Sequence, residues 1–366
     1  MAPADPIAPV TINAPRRLRG LDSLRGIAIA TVIVFHVQLH FPAPGLLGRL
    51  ALLGYNGVQL FFIVSGLTMC YMWSARKDET WETGKFLIRR LCRIAPPFWF
   101  AIVFYMAWRQ TSFSNLEPAD ALDALVTLFL AHGFVPHDIN LVVPGGWSIA
   151  AEAGFYVLFP LMVSRLRTAA QRLWAALAIY IACTVCAAML ARYAGVDDLV
   201  LYYSLLTQLP IFVAAMALFT MLFSPAEELP RGTLLAVVAI WAAVSITGKT
   251  MGWMTRPGLW AEVALMLLFA AAVLKRFEWR FLAFLGRISF SAYLFHFAVI
   301  DVLAAWLPHK APEASIGGFA VGLASVGLAS IAVAWVSSRT LEAWSVDLGR
   351  YFVAKLDASG RERAAA

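Results

Sequence analysis

An arginine and a histidine lie within the first long apolar stretch of the sequence, LDSLRGIAIATVIVFH. Arg25 and His36 are almost three complete helical turns apart, so in a helix they share one face, about 16 Å apart along the axis. Ionisable side chains inside an apolar helix cost free energy and are commonly functional. Because a neutral imidazole can accept a proton from a hydroxyl group, His36 is a candidate general base.

A carboxylate lies at a comparable depth in a later apolar stretch, WSIAAEAGFY. Glu152 is near the start of its predicted span, and His36 lies about as far from the matching end of its own span. In a bundle the two side chains could converge, and a carboxylate can orient an imidazole or stabilise its protonated form. The alternative interpretation is that both are core groups whose hydrogen bonds hold helices together.

Three arginines crowd the segment FLIRRLCRIAPPF, which we place in a loop at the entry to the third predicted span. Arg89 and Arg93 are about one helical turn apart, and Arg90 lies between them. Guanidinium groups suit bidentate binding of phosphate, so the segment is a candidate anion site. The competing interpretation is ordinary positive flanking of a membrane span.

Two further segments contain glycine or polar residues within apolar surroundings. The segment GYNGVQLFFIVSG is typical of close helix packing. The segment GRISFSAYLFHF carries Tyr293 and His296, which are three residues apart and therefore share a helix face. His296 is a second candidate for proton transfer, although a hydrogen bond in the core explains it equally well.

The composition indicates that lipid surrounds these groups. Of the 366 residues, 61% are hydrophobic and only 14% are charged, whereas soluble domains carry about 25% charged residues. The net charge of +7 does not indicate nucleic acid, because the basic residues form short clusters between apolar stretches. The sequence therefore predicts an all-α, polytopic membrane protein.

A spanning helix needs about 20 mostly apolar residues. Stretches of this kind predict ten transmembrane helices, at 22–41, 50–73, 94–109, 147–165, 173–192, 199–223, 233–248, 258–274, 288–307 and 315–337. A weaker apolar stretch at 120–135 is expected to be short, re-entrant or packed on the outer face, with a tilted full span as the alternative.

The distribution of Lys and Arg predicts the orientation, because cytoplasmic loops are enriched in both. The basic clusters alternate along the chain in a way that places both termini in the cytoplasm. We expect a cytoplasmic N-terminal tail at 1–20, a membrane domain at 21–337 and a polar cytoplasmic tail at 338–366. The chain is then a multi-pass membrane protein.

Taken in order, these segments resemble the acyltransferase 3 family of bacterial membrane O-acyltransferases. The matching segments are LDSLRGIAIATVIVFH, GVQLFFIVSG, FLIRRLCRIAPPFW, WSIAAEAGFYVLFP and GRISFSAYLFHF. They are spread over residues 20–300, and Phe290, where relatives often have Tyr, is a mild departure. The resemblance implies a ten-helix bundle that transfers an acyl group, usually acetyl from acetyl-CoA, to a carbohydrate or another hydroxyl acceptor.

The resemblance also implies roles for individual residues. The family's Arg–His pair corresponds to Arg25 and His36, its R-x-x-R element to Arg90 and Arg93, and its W-S-x-x-x-E element to Trp147, Ser148 and Glu152. We expect acyl-CoA as a co-substrate, with neither a metal ion nor a permanently bound cofactor. The expected roles are catalysis by His36 and Glu152, donor binding by Arg25, Arg89, Arg90 and Arg93, and acceptor binding by Trp147, Ser148, Tyr293 and His296.

A transporter or flippase is the alternative from another functional class. Buried arginine, histidine and glutamate side chains also suit a path for a substrate or a proton. Many transporters contain inverted repeats, and we find no internal repeat in this sequence. The acceptor, the length of the acyl chain and the choice between direct transfer and an acyl-histidine intermediate are left open.

Overall fold

A computed structural model describes residues 19–75, 82–108, 125–132, 142–224, 229–250, 259–276, 279–306 and 314–365. This part of the chain is overwhelmingly helical and contains no strand. The all-α prediction is therefore confirmed. Residues 1–18, at the predicted N-terminal tail, lie outside the described residues.

Fourteen α-helices are bounded in the described part of the chain. They are α1 (Arg19–His40), α2 (Gly45–Leu52), α3 (Gly57–Ser74), α4 (Glu82–Trp108), α5 (Gly146–Arg165), α6 (Ala169–Ala194), α7 (Asp198–Tyr203), α8 (Leu205–Phe223), α9 (Thr233–Thr250), α10 (Leu259–Arg276), α11 (Arg280–Arg287), α12 (Ser289–Trp306), α13 (Ile316–Ser337) and α14 (Ala343–Ala365). A 3-10 turn (Leu53–Asn56) joins α2 to α3, and a π-helical turn (Ser338–Glu342) joins α13 to α14.

Nine helical segments in the described residues are long and apolar enough to cross a membrane. They coincide with nine of the ten predicted spans, and the remaining prediction, 258–274, coincides with the shorter apolar segment Glu262–Leu274 in α10. The polytopic bundle predicted from composition is thus confirmed. The cytoplasmic placement of both termini stays a prediction.

Helix α1 lies at the centre of the bundle, against α3, α11, α12 and α13. Its contact with α11 is unusually close. A Cβ atom added to Gly26 would lie 2.0 Å from the carbonyl oxygen of Leu282, and one added to Gly286 would lie 1.8 Å from that of Asp22. Only residues without a side chain allow two helix backbones to approach this closely.

The arginine-rich segment is helical, which corrects its placement in a loop. Helix α4 begins at Glu82, and therefore includes Arg89, Arg90 and Arg93 as well as Pro96 and Pro97. Hydropathy misses this first part of the helix because it is charged. Proline inside a helix leaves backbone groups unpaired, and packing within a bundle tolerates this.

Helix α14 supports the charged part of α4. Lys85 Nζ is 2.5 Å from a carboxylate oxygen of Asp357, and the Ser345 hydroxyl donates to the carbonyl oxygen of Cys92 at 2.5 Å. At the π-helical turn, the buried Glu342 carboxylate accepts hydrogen bonds from the backbone N–H of Ser291 at 2.9 Å and from its hydroxyl at 2.5 Å. The segment expected as a polar tail is therefore an ordered helix packed on the bundle.

The weak apolar stretch 120–135 is only partly described. Within 125–132, residues 125–128 form a single helical turn, which is far too short to span a bilayer. His132, at the end of this segment, stacks on Phe98 and makes a 3.0 Å contact with the carbonyl oxygen of Gly146. The rest of the stretch lies outside the described residues.

Candidate active site

Three neighbouring cavities follow one another through the described part of the bundle, and adjacent cavities share wall residues. The first, the histidine cavity, has a volume of about 820 Å³ and is lined in part by His36. It shares Val58 and Tyr293 with a central chamber of about 80 Å³. The chamber shares Arg25 and Arg93 with a third cavity of about 440 Å³, the arginine mouth.

Aromatic and acidic side chains line the histidine cavity. Trp147 stacks on Tyr203 with ring centroids 4.7 Å apart, and the N-terminus of α7 contributes Asp197 and Asp198 to the wall. The other aromatic residues of the lining are Phe35, Tyr55, Tyr202, Tyr293 and Phe297. Aromatic faces with a few polar groups are typical of pockets that bind organic ligands.

His36 and His296 are in contact beside this cavity. Nδ1 of His36 is 3.3 Å from Nε2 of His296 and 2.9 Å from the carbonyl oxygen of Val32. The His36 ring also packs against Phe35 and Phe297, with centroid distances of 4.9 and 4.4 Å. The imidazole is therefore fixed by contacts on several sides.

Tyr293 forms the wall between the histidine cavity and the central chamber. Its hydroxyl accepts a hydrogen bond from Ser148 at 2.8 Å and donates to the carbonyl oxygen of Gly145 at 2.9 Å. Gly145 precedes α5 in the left-handed region, at φ +75°, and a Cβ there would lie 2.9 Å from the tyrosine hydroxyl. The glycine thus allows both the turn and the close approach of Tyr293.

Glu152 lies in the central chamber, with polar partners from two helices. Its carboxylate accepts hydrogen bonds from Ser65 on α3 and, at 2.7 Å, from Tyr156 one turn along α5. Arg25, Arg90 and Arg93 line the same chamber. The carboxylate is therefore placed to balance part of the positive charge of these arginines.

The three chamber arginines differ in their surroundings. Arg25 donates to Thr68 at 2.8 Å and lies 3.5 Å from Asp22. Arg90 is only 5% exposed, contacts the sulfur of Met72 and lies over the ring of Tyr156 at 5.7 Å. Among the described residues, the buried Nε–H of Arg90 has no hydrogen-bond partner. A buried donor without a partner is costly, and an acceptor atom of a ligand would remove that cost.

The arginine mouth combines charged groups from α1, α4, the end of α11 and α14. Arg287 and Arg350 join Arg25 and Arg93 in its lining, and Asp22, Glu342 and Asp347 supply negative charge. Asp347 pairs with Arg350 at 2.8 Å across one turn of α14. Arg89 does not line the mouth or the chamber; its backbone lies near Gly349 of α14.

The structure brings the predicted site residues together in two groups. Arg25, Arg90, Arg93, Ser148 and Glu152 line the chamber, whereas His36 and Trp147 line the histidine cavity, and Tyr293 belongs to both. His296 is fully buried behind His36.

The structure corrects the expected pairing of Glu152 with His36. The imidazole has a second histidine as its partner, and the partners of the carboxylate are Ser65 and Tyr156. Equal depth in two helices does not bring side chains together unless the helices also present them to each other.

Several residues of the site were not predicted. Tyr156 is one turn from Glu152, a spacing that places both on one face of α5. This partner of Glu152 could therefore have been predicted from the sequence. On α3, Ser65 donates a hydrogen bond to Glu152, and Thr68 accepts one from Arg25. Tyr55 bonds Glu262 of α10 at 2.6 Å. These three contacts join residues that are distant in sequence.

Three curated relatives are similar to this chain over part of their lengths. The chain is 26% identical over 318 residues to "Putative peptidoglycan O-acetyltransferase YrhL" of Bacillus subtilis (strain 168), covering 78% of this chain and 49% of the relative. It is 24% identical over 323 residues to "Putative O-acetyltransferase SACOL0978" of Staphylococcus aureus (strain COL), covering 78% and 51%. It is 26% identical over 162 residues to "O-acetyltransferase OatA" of Staphylococcus aureus (strain NCTC 8325 / PS 47), covering 41% and 25%.

The chain spans about half the length of the first two curated relatives. No solved structure matches it. A family model described as an acyltransferase domain, that of acyltransferase 3, matches residues 18–339, a range that contains the helices from α1 to α13 and all of the chamber-lining residues. This chain therefore belongs to the acyltransferase 3 family.

Proposed function

We propose that this protein is a membrane O-acyltransferase that moves an acyl group, in the simplest case acetyl, from acyl-CoA to a hydroxyl group of a carbohydrate. The observation that carries the proposal is the series of three neighbouring cavities, which extends from an arginine-lined mouth to a cavity lined by a histidine. Membership of the family and the names of the relatives support the reaction class. The membrane is taken to be the bacterial inner membrane.

The donor enters from the arginine mouth in this proposal. The positive-inside rule supports a cytoplasmic position for this arginine-rich end, and the cytoplasm is the side where acyl-CoA is available. The mouth has a volume of about 440 Å³, and Arg25 and Arg93 in its lining are placed to bind the phosphates of the donor. The chamber of about 80 Å³ admits only a narrow group. It therefore suits the thioester arm, with the Arg90 Nε–H available to an oxygen atom of the donor.

The acceptor occupies the histidine cavity. Its aromatic walls and the two aspartates of α7 offer stacking surfaces and hydrogen-bond acceptors to a sugar. One relative is named for peptidoglycan, and a surface glycan of this general kind is the acceptor class we propose. Trp147 and Tyr293 then contact the acceptor, while Ser148 holds the Tyr293 hydroxyl.

His36 serves as the general base. Its Nε2 accepts the proton of the acceptor hydroxyl, whose oxygen bonds to the carbonyl carbon of the thioester. The C–S bond then breaks, and the leaving CoA thiolate recovers the proton from Nε2. A covalent route, in which His36 first takes the acyl group and then passes it to the acceptor, uses the same residues.

Purified protein in liposomes tests the reaction. Transfer of labelled acetyl from acetyl-CoA to a carbohydrate acceptor, with release of CoA, is the expected result. His36→Ala is expected to lower the rate by about 10²- to 10⁴-fold, the usual contribution of a general base, and to leave donor binding intact. Full activity in that variant would remove the base from the mechanism.

A transporter is the second candidate, because a series of cavities through a bundle also suits a substrate path. The same liposomes separate the two functions. Movement of a substrate across the bilayer without release of CoA would support transport. Release of CoA that requires a hydroxyl acceptor would support the enzyme.

A further inference from the structure

The hydrogen bonds of His296 define which of its ring nitrogens carries hydrogen. Its Nδ1 lies 2.8 Å from the carbonyl oxygen of Tyr293 and 3.2 Å from that of Ala292. A carbonyl oxygen only accepts hydrogen bonds, so Nδ1 is the donor. The neutral ring then has a lone pair on Nε2, the atom that faces His36.

The same argument applies to His36. Its Nδ1 lies between the carbonyl oxygen of Val32 at 2.9 Å and Nε2 of His296 at 3.3 Å, and both of these atoms are acceptors. Nδ1 of His36 therefore carries hydrogen, and Nε2 holds the lone pair. This tautomer leaves His36 with its basic atom available on the side of the ring away from His296.

We propose that His296 is a positioning residue for His36. Together with the carbonyl oxygen of Val32, it holds the His36 ring in the tautomer whose Nε2 is basic, and its own Nε2 accepts a hydrogen bond from Nδ1–H that strengthens as the ring becomes protonated. The role rests on the proposed function, in which His36 is the base. His296 thus has the supporting role that the sequence predicts for Glu152. The Glu152 carboxylate instead accepts hydrogen bonds from Ser65 and Tyr156.

The physical reason is that this hydrogen bond changes strength during the reaction. When Nε2 of His36 takes up a proton, the ring is an imidazolium, and a hydrogen bond from a charged donor is roughly twice as strong as one from a neutral donor. An interaction that is stronger in the transition state than in the ground state raises kcat. His296 is 0% exposed, so water does not compete for its Nε2.

The expected effect is therefore on kcat and not on KM. His296→Leu is expected to lower kcat by roughly ten- to hundred-fold, which is less than the loss of the base itself. The KM values for acetyl-CoA and for the acceptor should stay close to those of the wild-type protein. His296→Gln, whose side-chain amide can present an oxygen near the position of Nε2, should recover a large part of the lost kcat.

A matched pair of variants controls for the loss of a buried histidine. His132 is also buried and bonded to a carbonyl oxygen, but it lines none of the three cavities. His132→Leu and His132→Gln should therefore give equal kcat values. A larger kcat for His296→Gln than for His296→Leu, together with equal values at His132, would support the positioning role.

The decisive measurement is a double-mutant cycle on acetyl transfer by the full chain in liposomes. In the His36→Ala background, His296→Gln and His296→Leu should cause no further loss, because the residue acts through His36. If wild-type protein transfers acetyl and His296→Leu keeps the full kcat, or raises only the acceptor KM, the positioning role is wrong and the proposed function stands. If His36→Ala keeps full activity, the proposed base fails, and the role of His296 fails with it.

Discussion

Arg25 and His36 lie on one face of α1 but line different cavities, Arg25 the chamber and the mouth, and His36 the histidine cavity. One face of α1 therefore extends from the arginine mouth to the histidine cavity, the site proposed for the acceptor. Tyr293 is the wall residue between the two regions. In the proposed mechanism this arrangement separates donor binding from proton transfer, so variants at the two ends should have different kinetic signatures.

Removing one guanidinium from the mouth should weaken donor binding. Arg93→Ala is expected to raise the Kd for acetyl-CoA by about 10- to 100-fold, since a hydrogen bond to a charged group contributes about 1.5–3 kcal/mol. Equilibrium binding at several salt concentrations measures this. Arg165→Ala, at an exposed arginine at the end of α5, is the control and should bind the donor normally. An unchanged Kd in Arg93→Ala would contradict the phosphate role.

Replacing Glu152 by Gln should mainly affect stability. The neutral amide cannot balance the charge of Arg90 and Arg25, so the free energy of unfolding should fall, by at most about 3–5 kcal/mol. Thermal unfolding in detergent should therefore occur at a lower temperature than in the wild-type protein. Donor binding should not weaken, because the chamber becomes more positive. A stable variant with a kcat as low as that of His36→Ala would instead support direct assistance to His36 by the carboxylate.

A side chain at Gly145 should disturb the wall between the two cavities. Gly145→Ala places a Cβ 2.9 Å from the Tyr293 hydroxyl, at a residue with φ +75°. Gly195 also has a positive φ, of 64°, but its Cβ would meet nothing within 4 Å. Gly195→Ala thus reports the backbone strain alone, about 1–2 kcal/mol. The acceptor KM should rise only in Gly145→Ala, and equal kinetics in the two variants would exclude the steric effect.

The junction between α13 and α14 should depend on the buried carboxylate. Glu342→Gln should destabilise the protein by about 1–3 kcal/mol, because the amide is a weaker acceptor for the two hydrogen bonds from Ser291. Asp347→Asn, in an exposed pair with Arg350, should cost less than about 1 kcal/mol. Thermal unfolding of both variants provides the comparison. A larger effect at Asp347 would mean that the junction is held by surface charge.

The spans and the family were predictable because each depends on local patterns of hydropathy and on short segments in order. The start of α4 was not, because its first turns are charged and depend on α14, more than 250 residues later, for contacts such as Lys85–Asp357. The sequence indicates how deep a side chain lies in the bundle but not which way its helix is rotated. For that reason the sequence predicts Glu152 as the partner of His36, whereas the structure places His296 there.

The backbone contact between α1 and α11 limits how this protein can change shape. Carbonyl oxygens of the opposite helix lie where a Cβ atom of Gly26 or Gly286 would be, so the two backbones are in direct contact and close packing opposes a shift of one helix along the other. The helix that carries Arg25 and His36 is thus held in a fixed position by α11. Any rearrangement that admits the proposed acyl-CoA donor would therefore involve the other elements that line the mouth, α4 and α14 among them.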